Sequence, residues 1–133
     1  MADTLKQRPG PMRLVDATQY RLPLAAKVSI LHRASGIIMF VLMPLVIWMF
    51  DTSLTSEISF ESFTAAFTSP LMKLFCLALI WSFLHHFCAG VRHLWMDFTH
   101  SVTKEQGHSS AIATFAVSLP LTAILGAKLF GLF

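Results

Sequence analysis

Residues 29–50 read SILHRASGIIMFVLMPLVIWMF, a nearly continuous apolar run that decides the fold of this chain. A helix needs about 20 mainly apolar residues to cross the hydrocarbon core of a bilayer. Two further runs of this kind follow, at residues 71–95 and 111–133. Pro44 and Pro120 lie inside the first and third runs, and membrane helices tolerate an internal proline better than soluble helices do. The sequence therefore predicts an all-α membrane protein with three transmembrane helices.

The composition favours a membrane protein over a soluble domain. Of the 133 residues, 55% are hydrophobic and 13% are charged, whereas about 25% are charged in a typical soluble protein. A water-exposed surface this apolar would aggregate, but lipid solvates it. The formal net charge of +3 does not indicate nucleic-acid binding, because the basic residues flank the first apolar run and form no separate basic stripe.

The distribution of charge predicts the orientation of the chain. Six basic residues precede or open the first span: Lys6, Arg8, Arg13, Arg21, Lys27 and Arg33. The loop after the span contains the acidic residues Asp51, Glu57 and Glu61 and has no basic residue before Lys73. Because positively charged flanks stay on the inner side, we expect the N-terminus inside, the first loop outside, the second loop inside and the C-terminus outside.

The same pattern predicts the domain organisation and the membrane. Residues 1–28 are expected to form an N-terminal cytoplasmic tail, and residues 29–133 a three-helix transmembrane domain. The tail lacks the apolar core of a signal peptide and the acid-free composition of a long transit peptide. We therefore expect a multi-pass protein of the bacterial inner (cytoplasmic) membrane, with the mitochondrial inner membrane as the alternative.

The loop between the first two spans contains three phenylalanines with helical spacing, Phe60, Phe63 and Phe67. They would share one face of a short helix lying on the membrane surface. An ordinary loop is the alternative, and both interpretations remain open from the sequence.

Two clusters of polar residues lie inside the apolar runs, where ionisable side chains are costly and usually pair or form a site. The first cluster, at the inner end of the first span, consists of Ser29, His32, Arg33 and Ser35. The second, in the inner half of the second span, consists of His85, His86, Arg92, His93 and Asp97. Singly, each is better explained as a packed histidine or an arginine reaching lipid phosphates. Together, on two helices at one depth, they indicate a functional site.

Helical spacing places His86, Gly90, His93 and Asp97 on one face of the second span. Gly90 leaves room for a flat or bulky group, and His86 lies about two turns deeper than His93. This arrangement suits a porphyrin standing edge-on in the bilayer, with a buried neutral imidazole on the iron and cationic groups on the propionates. The candidates for the propionate contacts are His32, Arg33 and His93.

Other chemistries find little support in the sequence. It contains no Gly-rich phosphate loop, CxxC pair or HExxH motif. A hydrolase triad of Ser82, His86 and Asp97 fails because Asp97 lies about three turns from His86 and cannot orient it.

Two motifs resemble the signatures of the cytochrome b subunit family of succinate dehydrogenase. Residues 29–36 (SILHRASG) are similar to the family pattern S-I-x-H-R-x-[ST]-G, and residues 86–97 (HFCAGVRHLWMD) to H-x-x-x-G-x-R-H-L-x-x-D. Residues 7–9 (QRP) are similar to an R-P element in the family's N-terminal tail, although the following Gly10-Pro11 departs from the commoner Ser-Pro ending. The tail, the three spans and the loop lengths extend the resemblance over the whole chain.

The resemblance implies a membrane anchor in a succinate:quinone oxidoreductase. Such an anchor shares a haem b with a second three-helix anchor subunit, helps to form a ubiquinone site, and binds the flavoprotein and iron–sulfur subunits. It belongs to an enzyme without binding succinate itself, so no catalytic residue is expected in this chain. No nucleic acid is implied among the partners.

The resemblance also assigns roles to individual residues. The implied axial ligand of the haem iron is His86. The adjacent His85 is an alternative, but the family pattern has four residues from the histidine to the glycine, and this spacing to Gly90 favours His86. The other axial histidine is expected from the second anchor. The positions matching the quinone site are Ser29 and Arg33. Those matching the haem propionates are His32 and His93.

Three alternatives remain open. The chain could be a structural anchor without haem, or the anchor of a fumarate reductase, which runs the same architecture in the opposite direction. It could also be an unrelated three-span transport component that uses the His/Arg clusters as a proton or anion path. The transport alternative predicts a polar face along the third span, where the polar residues are Thr114, Ser118, Thr122 and Lys128.

Overall fold

The computed structural model describes residue 15, residues 20–100 and residues 103–132. These residues form four helices and no strand: α1 (Leu24–Thr55), α2 (Glu57–Ala66), α3 (Pro70–Thr99) and α4 (Lys104–Leu129). Helices α1, α3 and α4 are long and apolar enough to cross a membrane. The prediction of an all-α protein with three transmembrane helices is therefore confirmed. The R-P element at residues 7–9, and most of the predicted tail, lie outside the described residues.

Helix α1 begins at Leu24, ahead of the apolar run that starts at residue 29. Pro23 takes the extended conformation at the N-cap position, and its carbonyl accepts hydrogen bonds from the backbone N–H groups of Ala26 and Lys27. The helix continues through Pro44 and ends where Ser56 becomes extended. The apolar run marks the part of the helix suited to hydrocarbon, and the helix itself extends beyond that part at both ends.

The short helix α2 follows α1 at once, so the helical interpretation of the first loop is confirmed and the ordinary loop is wrong. Ser56 and Ser59 form a reciprocal capping box, with bonds of 3.1 Å and 3.0 Å between each side chain and the other's backbone N–H. Such a box supplies partners for N–H groups that the first turn leaves unpaired. The rings of Phe63 and Phe67 pack together at 4.5 Å. The position of helix α2 on a membrane surface remains a prediction.

Helix α3 ends and helix α4 begins at the end of the bundle where α1 begins. Helix α3 starts with Ser69 at the N-cap position and Pro70 in its first turn, although the Ser69 side chain makes no capping bond. It ends at His100, which adopts a left-handed conformation with φ 50°. Helix α4 then begins with a capping box between Thr103 and Gln106.

The C-terminal end of α4 is set by a glycine. Gly131 has φ 74°, a conformation that only glycine adopts without strain. Its N–H bonds to the Lys128 carbonyl, and the N–H of Leu132 bonds to the Ala127 carbonyl. These bonds pair carbonyls that the last helical turn would otherwise leave free. The helix therefore stops before the predicted end of the third span at residue 133.

Helix α3 packs against both α1 and α4, and small residues form the apolar centre of the bundle. Val28, Ala89 and Ala111 are fully buried, one from each long helix. Large side chains point outward instead, as Phe40 and Phe98 do with 76% and 83% of their surface exposed. This distribution suits a membrane protein, because lipid solvates large apolar side chains while small residues let helices approach closely.

The alternation of the helices allows a test of the predicted orientation. Glu57 and Glu105 are both exposed and both lie in the first turn of a helix, but at opposite ends of the bundle. In a background with Cys76→Ser and Cys88→Ser, we expect Glu57→Cys to react with a membrane-impermeant maleimide added outside intact cells. Glu105→Cys should react only in inverted vesicles. The opposite labelling pattern would reverse the orientation derived from the basic residues.

Candidate functional site

Three histidines from two helices come together near the end of the bundle where α1 begins. His32 on α1 stacks on His86 of α3, with 4.1 Å between ring centroids and 18° between the ring planes. His93, two turns further along α3, lies 5.2 Å from the His32 ring. We refer to His32, His86 and His93 as the histidine cluster. The two polar clusters predicted from the sequence therefore meet at one site.

Hydrogen bonds determine which nitrogen of His86 carries the proton. His86 Nδ1 lies 3.0 Å from the backbone carbonyl oxygen of His32. Because a carbonyl can only accept, Nδ1 must be the protonated nitrogen and the donor. Ser35 Oγ donates its own hydrogen to the same carbonyl at 2.9 Å and lies 3.4 Å from His86 Nδ1. A neutral His86 therefore keeps a lone pair on Nε2, which makes no hydrogen bond with the described residues.

Gly36 allows α1 and α3 to approach closely at the cluster. A Cβ atom on Gly36 would lie 2.9 Å from Cε1 and 3.2 Å from Nδ1 of His86. At Gly90 a Cβ would make only ordinary contact, 3.5 Å from Nε2 of His32. Sequence reasoning assigned the space-providing role to Gly90 and missed Gly36, although Gly36 is the last residue of the first motif.

Charged and polar groups lie beside the cluster. Arg33 on α1 and Asp97 on α3 are exposed, and both are close enough to His93 to interact with it electrostatically. Ser29 lies one turn before Arg33 on α1 and is half-buried, and its hydroxyl makes no hydrogen bond with the described residues. Ser29 and Arg33 therefore offer hydrogen-bond donors to a ligand at this end of α1.

His85 lies on a different face of α3 from His86. It is fully buried, its ring packs parallel to Trp81 at 5.7 Å, and it also contacts Phe115 of α4 at 5.5 Å. A fully buried imidazole cannot contact a group outside the bundle unless α3 rotates. The geometry therefore favours His86 over His85 as the residue available to a ligand.

Arg92 is close enough to His93 to interact with it electrostatically, but its hydrogen bonds go to α4. Its Nε donates to Ser110 Oγ at 3.0 Å and one terminal nitrogen donates to the Gly107 carbonyl at 3.4 Å, both on α4. Only 8% of its surface is exposed. One residue of helical rotation separates Arg92 from His93, and this turns Arg92 toward α4. Its role here is to join α3 and α4.

The region of this chain that is similar to known proteins includes both motifs, residues 29–36 and 86–97. Residues 5–125 match the family described as "Succinate dehydrogenase/Fumarate reductase transmembrane subunit". The chain is 33% identical over 105 residues to a protein of Paracoccus denitrificans, covering 79% of this chain and 81% of that one. It is 31% identical over 113 residues to a protein of Coxiella burnetii, covering 84% and 90%.

A protein of Rickettsia prowazekii is 23% identical to the chain over 108 residues, covering 81% of this chain and 84% of that one. All three relatives carry the name succinate dehydrogenase cytochrome b556 subunit. The match to the family spans most of the chain, including all of α1 and α3. This chain belongs to the family of succinate dehydrogenase and fumarate reductase transmembrane subunits.

Proposed function

We propose that this chain is the membrane-anchor cytochrome b subunit of a succinate dehydrogenase. In this role it ligates a haem b through His86 and contributes to the site where ubiquinone is reduced. The observation that carries the proposal is the hydrogen bond from His86 Nδ1 to the His32 carbonyl, which leaves Nε2 free as a ligand. The name of the relatives, cytochrome b556 subunit, supports a haem b.

The residues present fit one side of a haem better than a metal ion held by protein alone. No three His, Cys, Asp or Glu side chains converge on a metal position within the described ranges. A haem would need only one imidazole ligand from this chain, His86, because the partner anchor would supply the other. A hydrogen bond from Nδ1 to a backbone carbonyl orients such a ligand and raises its basicity. Haem b supplies reversible one-electron transfer when it is bound.

The polar side chains around His86 fit the carboxylates of a haem. His32 and His93 lie nearer the end of the bundle than His86, and exposed Arg33 is close to His93. Cationic and N–H groups at that depth would hold the propionates and fix the orientation of the ring. Gly36 would keep His86 in place by letting the helices touch.

We assign the quinone contacts of this chain to Ser29 and Arg33. The Ser29 hydroxyl would donate a hydrogen bond to one quinone oxygen, and the Arg33 guanidinium would stabilise negative charge on the quinone during reduction. The iron–sulfur subunit and the second anchor would complete the pocket. Succinate would be oxidised on the flavoprotein, so this chain takes no part in that step.

The names of the relatives support succinate oxidation as the direction. Each of the three is named for succinate dehydrogenase, although the family includes fumarate reductase subunits as well. The family match also removes the reason for proposing an unrelated transport component. A haem-free anchor is disfavoured because His86 is present, with a free Nε2.

The ligand assignment predicts opposite results for two adjacent histidines. In the purified complex, we expect His86→Ala to abolish or shift the α-band in the dithionite-reduced minus oxidised spectrum. His85→Leu should retain the band, because the His85 ring faces the bundle core. The amount of this chain that copurifies with the flavoprotein and iron–sulfur subunits provides the control for assembly. An unchanged band in His86→Ala would move the ligand elsewhere, and no band in the native complex would refute the haem.

The close approach at Gly36 predicts a second, more indirect loss of haem. We expect Gly36→Ala to lower the haem content, because its methyl group would displace the His86 ring from a contact of 2.9 Å. Gly126→Ala is the matched control. A Cβ there would also meet a neighbour at 2.9 Å, but that neighbour is a flexible Leu77 methyl group distant from the cluster. Equal haem contents in the two variants would contradict the positioning role of Gly36.

The quinone assignment predicts a selective defect. We expect Ser29→Ala and Arg33→Gln each to lower succinate:ubiquinone activity about tenfold or more, the loss expected from a hydrogen bond to a charged or developing charged group. Succinate oxidation with a soluble dye should be unchanged. Arg21→Gln, an exposed basic residue before α1, is the control. Loss of the variant chain from the purified complex would indicate failed assembly in place of a quinone contact.

A further inference from the structure

A second group of polar side chains lies inside the bundle, away from the histidine cluster. Ser82 and His85 on α3 and Ser118 on α4 have none of their surface exposed. Neither hydroxyl oxygen, and neither ring nitrogen of His85, has a hydrogen-bond partner among the described residues. The backbone of Val28 on α1 is close enough to the His85 ring to interact with it. None of these residues takes part in the function proposed above.

The pairing of α3 with α4 brings the three side chains together. Three contacts fix the antiparallel register of these helices: Arg92 with Ser110, His85 with Phe115, and the Leu77 methyl group with Gly126. This register sets Ser82 opposite Ser118. Ser82 and His85 are three residues apart, so they are neighbours on one face of α3. The three side chains therefore form one polar layer, which we call the buried serine–histidine layer.

The hydroxyls of this layer differ from others in the same bundle. Thr114 and Thr122 on α4 each donate to the carbonyl of the residue four positions earlier, at 3.0 Å and 2.7 Å. Ser82 and Ser118 make no such bond. In a lipid environment no outside water reaches them, and leaving polar groups unpaired there is costly. The layer therefore needs a small polar ligand between the helices.

The chemistry of the layer identifies the ligand. Serine hydroxyls both donate and accept, and a neutral imidazole has one donor and one acceptor. A water molecule, which commonly makes about three hydrogen bonds when buried, matches this set. A cation does not, because no carboxylate belongs to the layer. Trp81 and Phe115 pack against the His85 ring.

We propose that Ser82, His85 and Ser118 bind an internal water molecule that bridges α3 and α4. The bridge lies between α3 and α4, where His85 contacts Phe115. It joins the helices inside the membrane, as Arg92 joins them nearer the end. The inference does not depend on whether the chain binds haem.

Removing a hydroxyl tests the proposal, because the two possibilities give opposite signs. If water is bound, Ser82→Ala and Ser118→Ala each delete a partner of that water and leave the rest of the layer unpaired. The midpoint of thermal dissociation of the purified complex should then fall, by about 2 °C for each variant. If the hydroxyls are simply unpaired, their removal relieves a cost and the midpoint should rise. A rise in either variant would overturn the proposal.

The control variant is Ser109→Ala on α4, the helix that also carries Ser118. Ser109 is exposed, and its hydroxyl donates to the Gln106 carbonyl, so its removal should leave the midpoint nearly unchanged. A direct view comes from a cryo-electron microscopy map of the native complex that resolves other internal waters. A peak should lie at hydrogen-bond distance from at least two of Ser82 Oγ, Ser118 Oγ and a His85 nitrogen. A map without that peak, or with a direct Ser82–Ser118 bond, would also overturn the proposal.

Discussion

The hydrogen bond between His86 Nδ1 and the His32 carbonyl is the interaction on which the site depends. It joins α1 to α3, and at the same time it fixes the tautomer of the imidazole that faces the ligand. Both consequences require the two helices to lie very close together, and Gly36 permits this. Ser35 adds a second donor to the same carbonyl. Residues of the first motif therefore position His86, which belongs to the second motif. The candidate haem site needs both motifs for this reason.

Close packing also explains how so apolar a chain keeps polar groups inside. The fully buried apolar residues of the three long helices are Val28, Ala89 and Ala111, and residues of this size let the helices approach closely enough for polar side chains to reach a neighbouring helix. Arg92 illustrates the result, since it reaches a hydroxyl and a carbonyl of α4 and needs no carboxylate. In water such an interior would gain little from the hydrophobic effect, but in lipid it provides the packing and hydrogen bonds that hold helices together.

The sequence predicted the three spans, because hydropathy determines them. It also predicted that the clusters containing His32, His86 and His93 meet, because the alternating orientation of the spans places both clusters at one end of the bundle. It predicted the helix ends less well. Leu24 and Lys104 begin their helices ahead of the apolar runs, since Pro23 and the Thr103–Gln106 box set those ends and hydropathy does not detect them. Periodicity also could not reveal which residues of α1 touch α3. The contact between Gly36 and His86 depends on the distance between α1 and α3, and neither hydropathy nor the helical period predicts that distance.

The separation of His85 from His86 shows how one helix serves two purposes in a membrane. Successive residues differ by about 100° around the axis, so adjacent histidines necessarily face different surroundings. His86 meets α1 and retains a free nitrogen, whereas His85 is enclosed by Trp81, Phe115 and α4. Arg92 and His93 repeat this separation two turns later. One face of α3 therefore presents ligand-binding groups while the adjacent face uses polar groups to hold the bundle, and the hydrogen bonds of the second face fix the rotation that directs the first.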